Sequence, residues 1–231
     1  MKAYTIGQFN EYTPTSMDQV SLTVRQYTPW LQRTMGDTYV IVPATPGCKG
    51  DENFNVFQYS SVPVGPQSAY RFRLPWLNLR LNAHMRHISF DLLHCHSPFS
   101  SGQYALRMAR RRNIPVVTTF HPEYCRDVLQ SVRSSTAKRL IRRMVKFYSS
   151  VDEVWVNDSA AEDCLREYGY RGRVIVIDDN TNSENLNDAV RYRYIAVIQH
   201  KKCELMHHKI RIPWPERIWP EPIFELNEQW V

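Results

Sequence analysis

Glycine is scarce in this chain and stops early. All eight glycines lie at or before Gly172, and the remaining 59 residues have none. Without glycine, left-handed caps and tight primed turns are hard to build, so the tail is not expected to form a second domain. No G-x-G-x-x-G follows the first apolar segment, which removes the main support for dinucleotide binding. The five cysteines (Cys48, Cys95, Cys125, Cys164 and Cys203) are scattered, with no C-x-x-C pair. An odd, dispersed set suits reduced thiols better than a disulfide framework. No apolar run approaches the roughly 20 residues that a membrane-spanning helix needs. The opening residues lack a basic-then-apolar leader, because Gln8, Asn10, Glu11, Thr13, Asp18 and Gln19 interrupt the pattern. A cytoplasmic location is expected, with the inner face of a membrane as a candidate peripheral contact. Aromatic residues do not interleave with the basic ones as a single-strand groove would require, so nucleic acid is not an expected partner. Neither a resident cofactor nor a metal is expected.

What is present is ordinary for a globular protein: 43% hydrophobic and 23% charged residues in a chain of 231. The net charge of +6 arises before residue 181, since the tail's seven Lys/Arg are matched by seven Asp/Glu. It concentrates in Arg107–Arg112 and Lys138–Lys146. These stretches read either as solvated helix faces or as attraction to anionic partners such as lipid headgroups.

Hydrophobic periodicity organises the chain into alternating strands and helices. Strands are expected at Ala3–Phe9, Tyr39–Val42, Asn53–Val62, Asp91–His94, Val116–Phe120, Val154–Val156 and Arg173–Ile177. Helices are expected over Val20–Arg33, Trp76–His87, Gly102–Arg112, Ser134–Ser149 and from Asp158 or Ser159 to Tyr168. Pro63–Pro75 reads as loop. In Ser134–Ser149, Ala137, Leu140, Ile141, Met144, Val145 and Tyr148 share one face, and Arg139, Arg142, Arg143 and Lys146 line the other as a candidate membrane or anion patch. This alternation implies an α/β fold with a doubly wound, mostly parallel sheet. After Asp178 the periodicity fades. Tyr194–Ile198 suggests one more strand in an otherwise irregular tail.

The richest segment is Phe90–Tyr124. Two buried strands there end in histidine, and ligands of open α/β sheets sit beyond the carboxyl ends of the strands. His94, His96, Ser97 and His121 are therefore expected at one crevice. Strand alternation sends His94 and His96 to one face, with Cys95 opposite. Hydrogen bonding around the turn is the favoured role for these two. Ser97 and Ser100–Gly102 open a helix whose free N–H groups suit either an anion or a simple cap. His121, as a strand-end histidine, reads on residue type alone as a partner for a loop carbonyl or as a ligand contact at the crevice.

Several pieces stand in order along the chain: Phe9-Asn10 with Tyr12-Thr13-Pro14, Val20-Ser21-Leu22-Thr23-Val24, Phe90-Asp91-Leu92-Leu93-His94-Cys95-His96-Ser97-Pro98-Phe99, and Pro115-Val116-Val117-Thr118-Thr119-Phe120-His121. Val151-Asp152-Glu153-Val154-Trp155-Val156 and Leu165-Arg166-Glu167-Tyr168-Gly169-Tyr170 follow. In their order and spacing these pieces resemble glycosyltransferase family 4. The resemblance implies a Rossmann-like lobe of a GT-B enzyme, a nucleotide-sugar donor and retention at the anomeric carbon. It also implies a sugar or glycolipid acceptor held by the amino-terminal lobe. Residue by residue, His121 matches the histidine that reaches the transferred sugar and is the catalytic candidate. Asp18, Gln19, His96, Ser97, Phe99 and His121 form the expected substrate-binding set.

Three departures shape the expectation. Gln19 stands where the family usually has glycine, and Asp179-Asn180 where it usually has Asn-Gly. The 51 residues after Asn180 contain no glutamate with another eight positions on, the family's donor-binding spacing. The expected organisation is an acceptor-side domain over residues 1–178, with 179–231 as a tail or disrupted start of a donor-binding domain. The expected function is the amino-terminal half of a retaining hexosyltransferase without turnover on its own. The alternative is a non-catalytic Rossmann-like module that requires a partner domain.

Overall fold

Short apolar strands separated by amphipathic helices wind into one parallel sheet. The computed structural model describes residues 3–11, 19–44, 55–63, 71–73, 75–130, 132–177 and 188–210. Strand β1 (Ile6–Phe9) leads through α1 (Gln19–Thr34) to β2 (Thr38–Pro43) and β3 (Asn55–Tyr59). A small antiparallel pair, β4 (Ser61–Pro63) and β5 (Arg71–Arg73), stands apart. A 3₁₀ turn at Pro75–Leu77 and helix α2 (Leu79–His87) precede β6 (Leu92–Cys95). Then follow α3 (Ser100–Arg112), β7 (Val116–Thr119), α4 (Pro122–Gln130) and α5 (Ser134–Tyr148). Strand β8 (Glu153–Val156), α6 (Ser159–Glu167), β9 (Ile175–Val176) and α7 (Asp188–Ile210) complete the described chain.

The seven-stranded sheet has the order β3-β2-β1-β6-β7-β8-β9, and every pairing in it is parallel. From β1 the chain steps outward to β2 and β3. It then returns to set β6 on the other side of β1 and steps outward again. The β1–β6 boundary is therefore the topological switch point, the place where ligands of open α/β sheets gather. This is the Rossmann-like, doubly wound architecture that the alternation implied.

Strand alternation divides the core between the two faces. On one, Phe9, Leu93, Cys95, Val116, Val154 and Val156 pack with residues of α2, α3, α5 and α6. On the other, Ile6, Leu92, Val117 and Trp155 pack with Tyr27, Trp30 and Leu31 of α1. Local signals set the helix ends. Asp158 caps α6 by accepting from the Ala161 N–H at 2.7 Å, as its residue type favours. Asn113 ends α3 in the left-handed conformation, and Pro115 follows two residues later, where helices seldom continue.

Three expectations need correction. The region read as loop over Pro63–Pro75 contains β5. A helix at Pro122–Gln130 was not foreseen; proline at its first position is pre-set for helical φ and lacks an N–H that would go unpaired there anyway. The strand read at Tyr194–Ile198 is part of α7. Its β-branched residues mimic a strand, but Val190, Tyr194, Val197 and Ile198 fall on one helical stripe. That stripe is buried against Ile6, Leu92 and Trp155.

Helix α7 runs down β6, with Tyr194 meeting His94 near the strand's carboxyl end and Lys202 meeting Asp91 before its start, at 2.8 Å. Arg193 pairs with Glu153, and Lys201 lies 3.4 Å from Asp152. These partly exposed ion pairs contribute about 0–1 kcal/mol each, so the apolar stripe decides the docking. Replacing Ile198 with Ala is expected to lower the unfolding free energy by about 2–4 kcal/mol. Tyr192→Ala, at a side chain 66% exposed, should change it by less than about 0.5 kcal/mol. Urea denaturation of the two variants checks the docking; equal, small effects would contradict it.

Candidate functional site

At the switch point the tips of β1, β6 and β7 bring three imidazoles together. The β1–β6 register sets Gln8 opposite His94 and Phe9 opposite Cys95, and the His96 N–H donates to the Phe9 carbonyl at 2.9 Å. His94 and His96 project to one face with ring centroids 4.2 Å apart, and His96 and His121 lie at 5.7 Å. Cys95 points into the opposite core layer. Tyr27 of α1 meets both β6 histidines edge-on at 5.8 and 6.4 Å, and Trp155 and Tyr194 meet His94 at 5.2 and 5.7 Å.

Both ring nitrogens of His94 and of His96 have protein company, and so does Nε2 of His121. His94 Nδ1 lies 2.5 Å from the Tyr194 hydroxyl and its Nε2 lies 2.8 Å from Thr119 Oγ1. His96 Nε2 lies 3.0 Å from Gln8 Oε1, and its Nδ1 lies 3.4 Å from His121 Nε2. The amide of Gln8 continues to Thr28 Oγ1 at 3.4 Å. His121 closes β7 and opens α4, where its carbonyl accepts the first helical N–H, from Cys125, at 3.2 Å.

Burial dominates the electrostatics. It pushes His94 down to about 3, with the neighbouring His121 acting in the same direction. It also holds His96 well below its usual range, with further contributions from His94 and His121. His121 falls to about 4 through burial, and the positive end of α4 further disfavours a cation there. At neutral pH all three are uncharged hydrogen-bonding groups. His121 is thus poorly suited to donate a proton as an acid, but well suited to hold a hydroxyl. Burial also raises the thiols of Cys95 and Cys125, the latter to about 12, so neither is a ready thiolate nucleophile.

Beside the histidines, the start of α3 is already occupied. Glu11, 1% exposed, accepts from the Ser101 N–H at 2.6 Å, from Ser100 Oγ at 2.9 and 3.0 Å, and from Ser97 Oγ at 3.4 Å. The anion site expected at Ser97 and Ser100–Gly102 is therefore filled by a carboxylate from the β1 tip. Gly102 allows the tight packing: a Cβ there would strike the Ser97 carbonyl.

The expected site residues distribute as follows. His96 and His121 are brought into contact, with Ser97 buried beside them in the Glu11 network. Phe99 is half-buried and meets Tyr124 of α4 edge-on at 5.8 Å, making an aromatic wall. Gln19 is the first residue of α1, and Asp18 lies outside the described residues. Arg139, Arg142, Arg143 and Lys146 are exposed on the outer face of α5, whose Met144, Phe147 and Tyr148 are buried. Among the described residues no cluster of three ligating side chains is placed to hold a metal ion.

Sequence reasoning missed Gln8, Glu11, Thr119 and Tyr194. Gln8 carried a usable signal, since a polar residue inside a fully buried strand demands a partner. Tyr194 carried none, because its partner is 100 positions away.

Residues 20–178 match the family described as Glycosyltransferase Family 4. The chain belongs to glycosyltransferase family 4. It is 29% identical over 119 residues to alpha-monoglucosyldiacylglycerol synthase of Acholeplasma laidlawii, covering 52% of this chain and 30% of that protein. In fold it is similar to sucrose-phosphate synthase from Thermosynechococcus elongatus, with a TM-score of 0.57 at 16% identity, covering 78% of this chain and 49% of the other. The chain thus spans about half or less of the length of these relatives.

Buried neutral histidines are expected to make this family 4 protein acid-sensitive. Unfolded imidazoles titrate near 6.5, whereas burial lowers the folded ones, His121 to about 4, His94 to about 3 and His96 well below its usual range. The lowered folded values leave their stabilisation fully present above pH 6.5 and remove it as pH falls towards 4. Each group contributes up to about 1.4 kcal/mol per pH unit in that window, so the three approach about 4 kcal/mol per unit near pH 5. Urea midpoints at pH 7.5, 6 and 5 measure this slope; a flat profile would contradict three dry, neutral rings.

Proposed function

We propose that this lobe forms the acceptor-side wall of a retaining GT-B glycosyltransferase, which moves a hexosyl group from a nucleotide-sugar to a sugar or glycolipid acceptor. The observation that carries the reading is His121: a neutral imidazole at the carboxyl end of β7, near the sheet's switch point, held by His96 at 3.4 Å. A group of this kind orients a sugar hydroxyl without donating a proton, and fixing the sugar ring pre-organises the anomeric carbon for transfer. Phe99 and Tyr124 offer an apolar face for the same sugar. The glycolipid class is favoured by the relative that is named for making a glucosyl lipid.

The reading is tested by titrating the protein with methyl hexosides and nucleotide-hexoses while following ligand signals by saturation-transfer NMR. His121→Ala is expected to weaken hexoside binding by about tenfold, equivalent to one good hydrogen bond, measured at a temperature where the variant is shown to be folded. Equal binding by the variant would remove His121 from the sugar site.

A second reading, peripheral contact with an anionic membrane, rests on charge segregation. Helices α2, α3 and α5 contain no acidic residue, and all three pack on the same side of the sheet. Arg80, Arg86, Arg107, Arg110 and Arg111 join Arg139, Arg142, Arg143 and Lys146 as exposed cations there. Leu77 and Leu79 are 65% and 83% exposed beside them. None of the helices, among the described residues, is long and apolar enough to cross a membrane, so contact would be at the surface. Sedimentation with vesicles containing anionic phospholipid is expected to show binding that weakens between 50 and 300 mM salt, roughly the range over which screening becomes strong. Arg139→Glu with Arg142→Glu and Arg143→Glu should abolish most of it. Binding indifferent to salt and to these charges would contradict the reading.

A further inference from the structure

The hydrogen-bond chain behind His121 has a direction, and that direction is set on helix α1. Thr28 Oγ1 lies 2.6 Å from the Val24 carbonyl oxygen. A carbonyl only accepts, so the Thr28 hydroxyl proton is committed there. Towards Gln8 the same oxygen therefore accepts, and Gln8 must present its amide nitrogen, at 3.4 Å. The Gln8 amide oxygen then faces His96 Nε2 at 3.0 Å. An amide oxygen also only accepts, so Nε2 of His96 carries the hydrogen. Burial keeps His96 neutral with a single ring proton, which leaves a lone pair on Nδ1. That lone pair faces His121 Nε2 at 3.4 Å and requires an N–H there.

We propose that Gln8 and Thr28 are positioning residues that fix, through His96, the tautomer of His121 as Nε2–H, so that His121 offers a ligand only the lone pair of Nδ1. The ligand group at that nitrogen must then be a donor. A sugar hydroxyl qualifies; a carboxylate, an ionised phosphate oxygen or a carbonyl does not. This deepens the proposed function and rests on it only for the identity of the ligand, since the tautomer follows from the protein alone. Reversing the chain would turn the Gln8 oxygen towards Thr28 and draw the hydroxyl proton away from Val24. The shortest bond of the series would be lost, and nothing else in it would be gained.

Long-range ¹H–¹⁵N correlation spectra of the full chain labelled with ¹⁵N-histidine read the tautomer of each ring directly, because protonated and bare imidazole nitrogens resonate far apart. The unliganded protein is expected to show His96 and His121 each as a single Nε2–H form. Gln8→Leu removes the acceptor, and Thr28→Val removes the orienting hydroxyl with little change of shape. Both should give mixed or exchanging tautomers at His121, whereas Thr28→Ser, which keeps the hydroxyl, should restore the single form. His121 found as Nδ1–H in the unsubstituted protein would overturn the proposal. So would an unchanged single tautomer in both Gln8→Leu and Thr28→Val. A separate arm titrates methyl hexosides into Gln8→Leu, where affinity should fall about threefold to tenfold. Mixed tautomers with unaltered hexoside affinity would leave the positioning role standing and overturn the sugar contact instead.

Discussion

Three imidazoles are held dry and uncharged where the parallel sheet changes direction, and the surrounding structure is arranged to make that tolerable. An unpaired polar group in such a place costs on the order of a few kcal/mol, and a charge there costs far more. The protein answers with partners from separate elements: Gln8 from β1, Thr119 from β7, Tyr194 from α7 and, behind Gln8, Thr28 from α1. Each partner constrains the element that carries it. The strand register, the angle of α1 and the seat of α7 are thereby tied to the same small volume.

The same constraint explains the neighbouring carboxylate. Glu11 is nearly as buried as the histidines, and it is stabilised by the N–H groups and hydroxyls at the start of α3. The macrodipole of that helix favours a negative charge there. The strand tips thus carry neutral hydrogen-bonding rings on one side and a satisfied anion on the other.

Away from the strand tips, the two faces of the sheet have different characters. One is sealed by α1 and α7, whose ion pairs with Asp91, Asp152 and Glu153 neutralise the lower edge. The other carries α2, α3 and α5, which bring cations and no acids, beside α4 and α6, which bring both.

The amino-acid sequence alone determined the alternation of strands and helices, the parallel sheet, the placing of His96 and His121 at adjacent strand tips and the basic face of α5. These follow from periods of two and 3.6 residues and from the rule that ligands gather at strand ends, all of which are local in the chain. Tertiary structure alone decided the partners of those histidines and the fate of the tail. Gln8 looks like one polar interruption of β1 until β6 is laid beside it. The stripe Val190–Tyr194–Val197–Ile198 looks like a strand until Ile6, Leu92 and Trp155 offer it a surface. Hydrogen-bond direction, and with it the tautomer of His121, depends on atoms brought together from α1, β1, β6 and β7. Contacts between residues some twenty to a hundred positions apart are set by packing, and no local pattern encodes them.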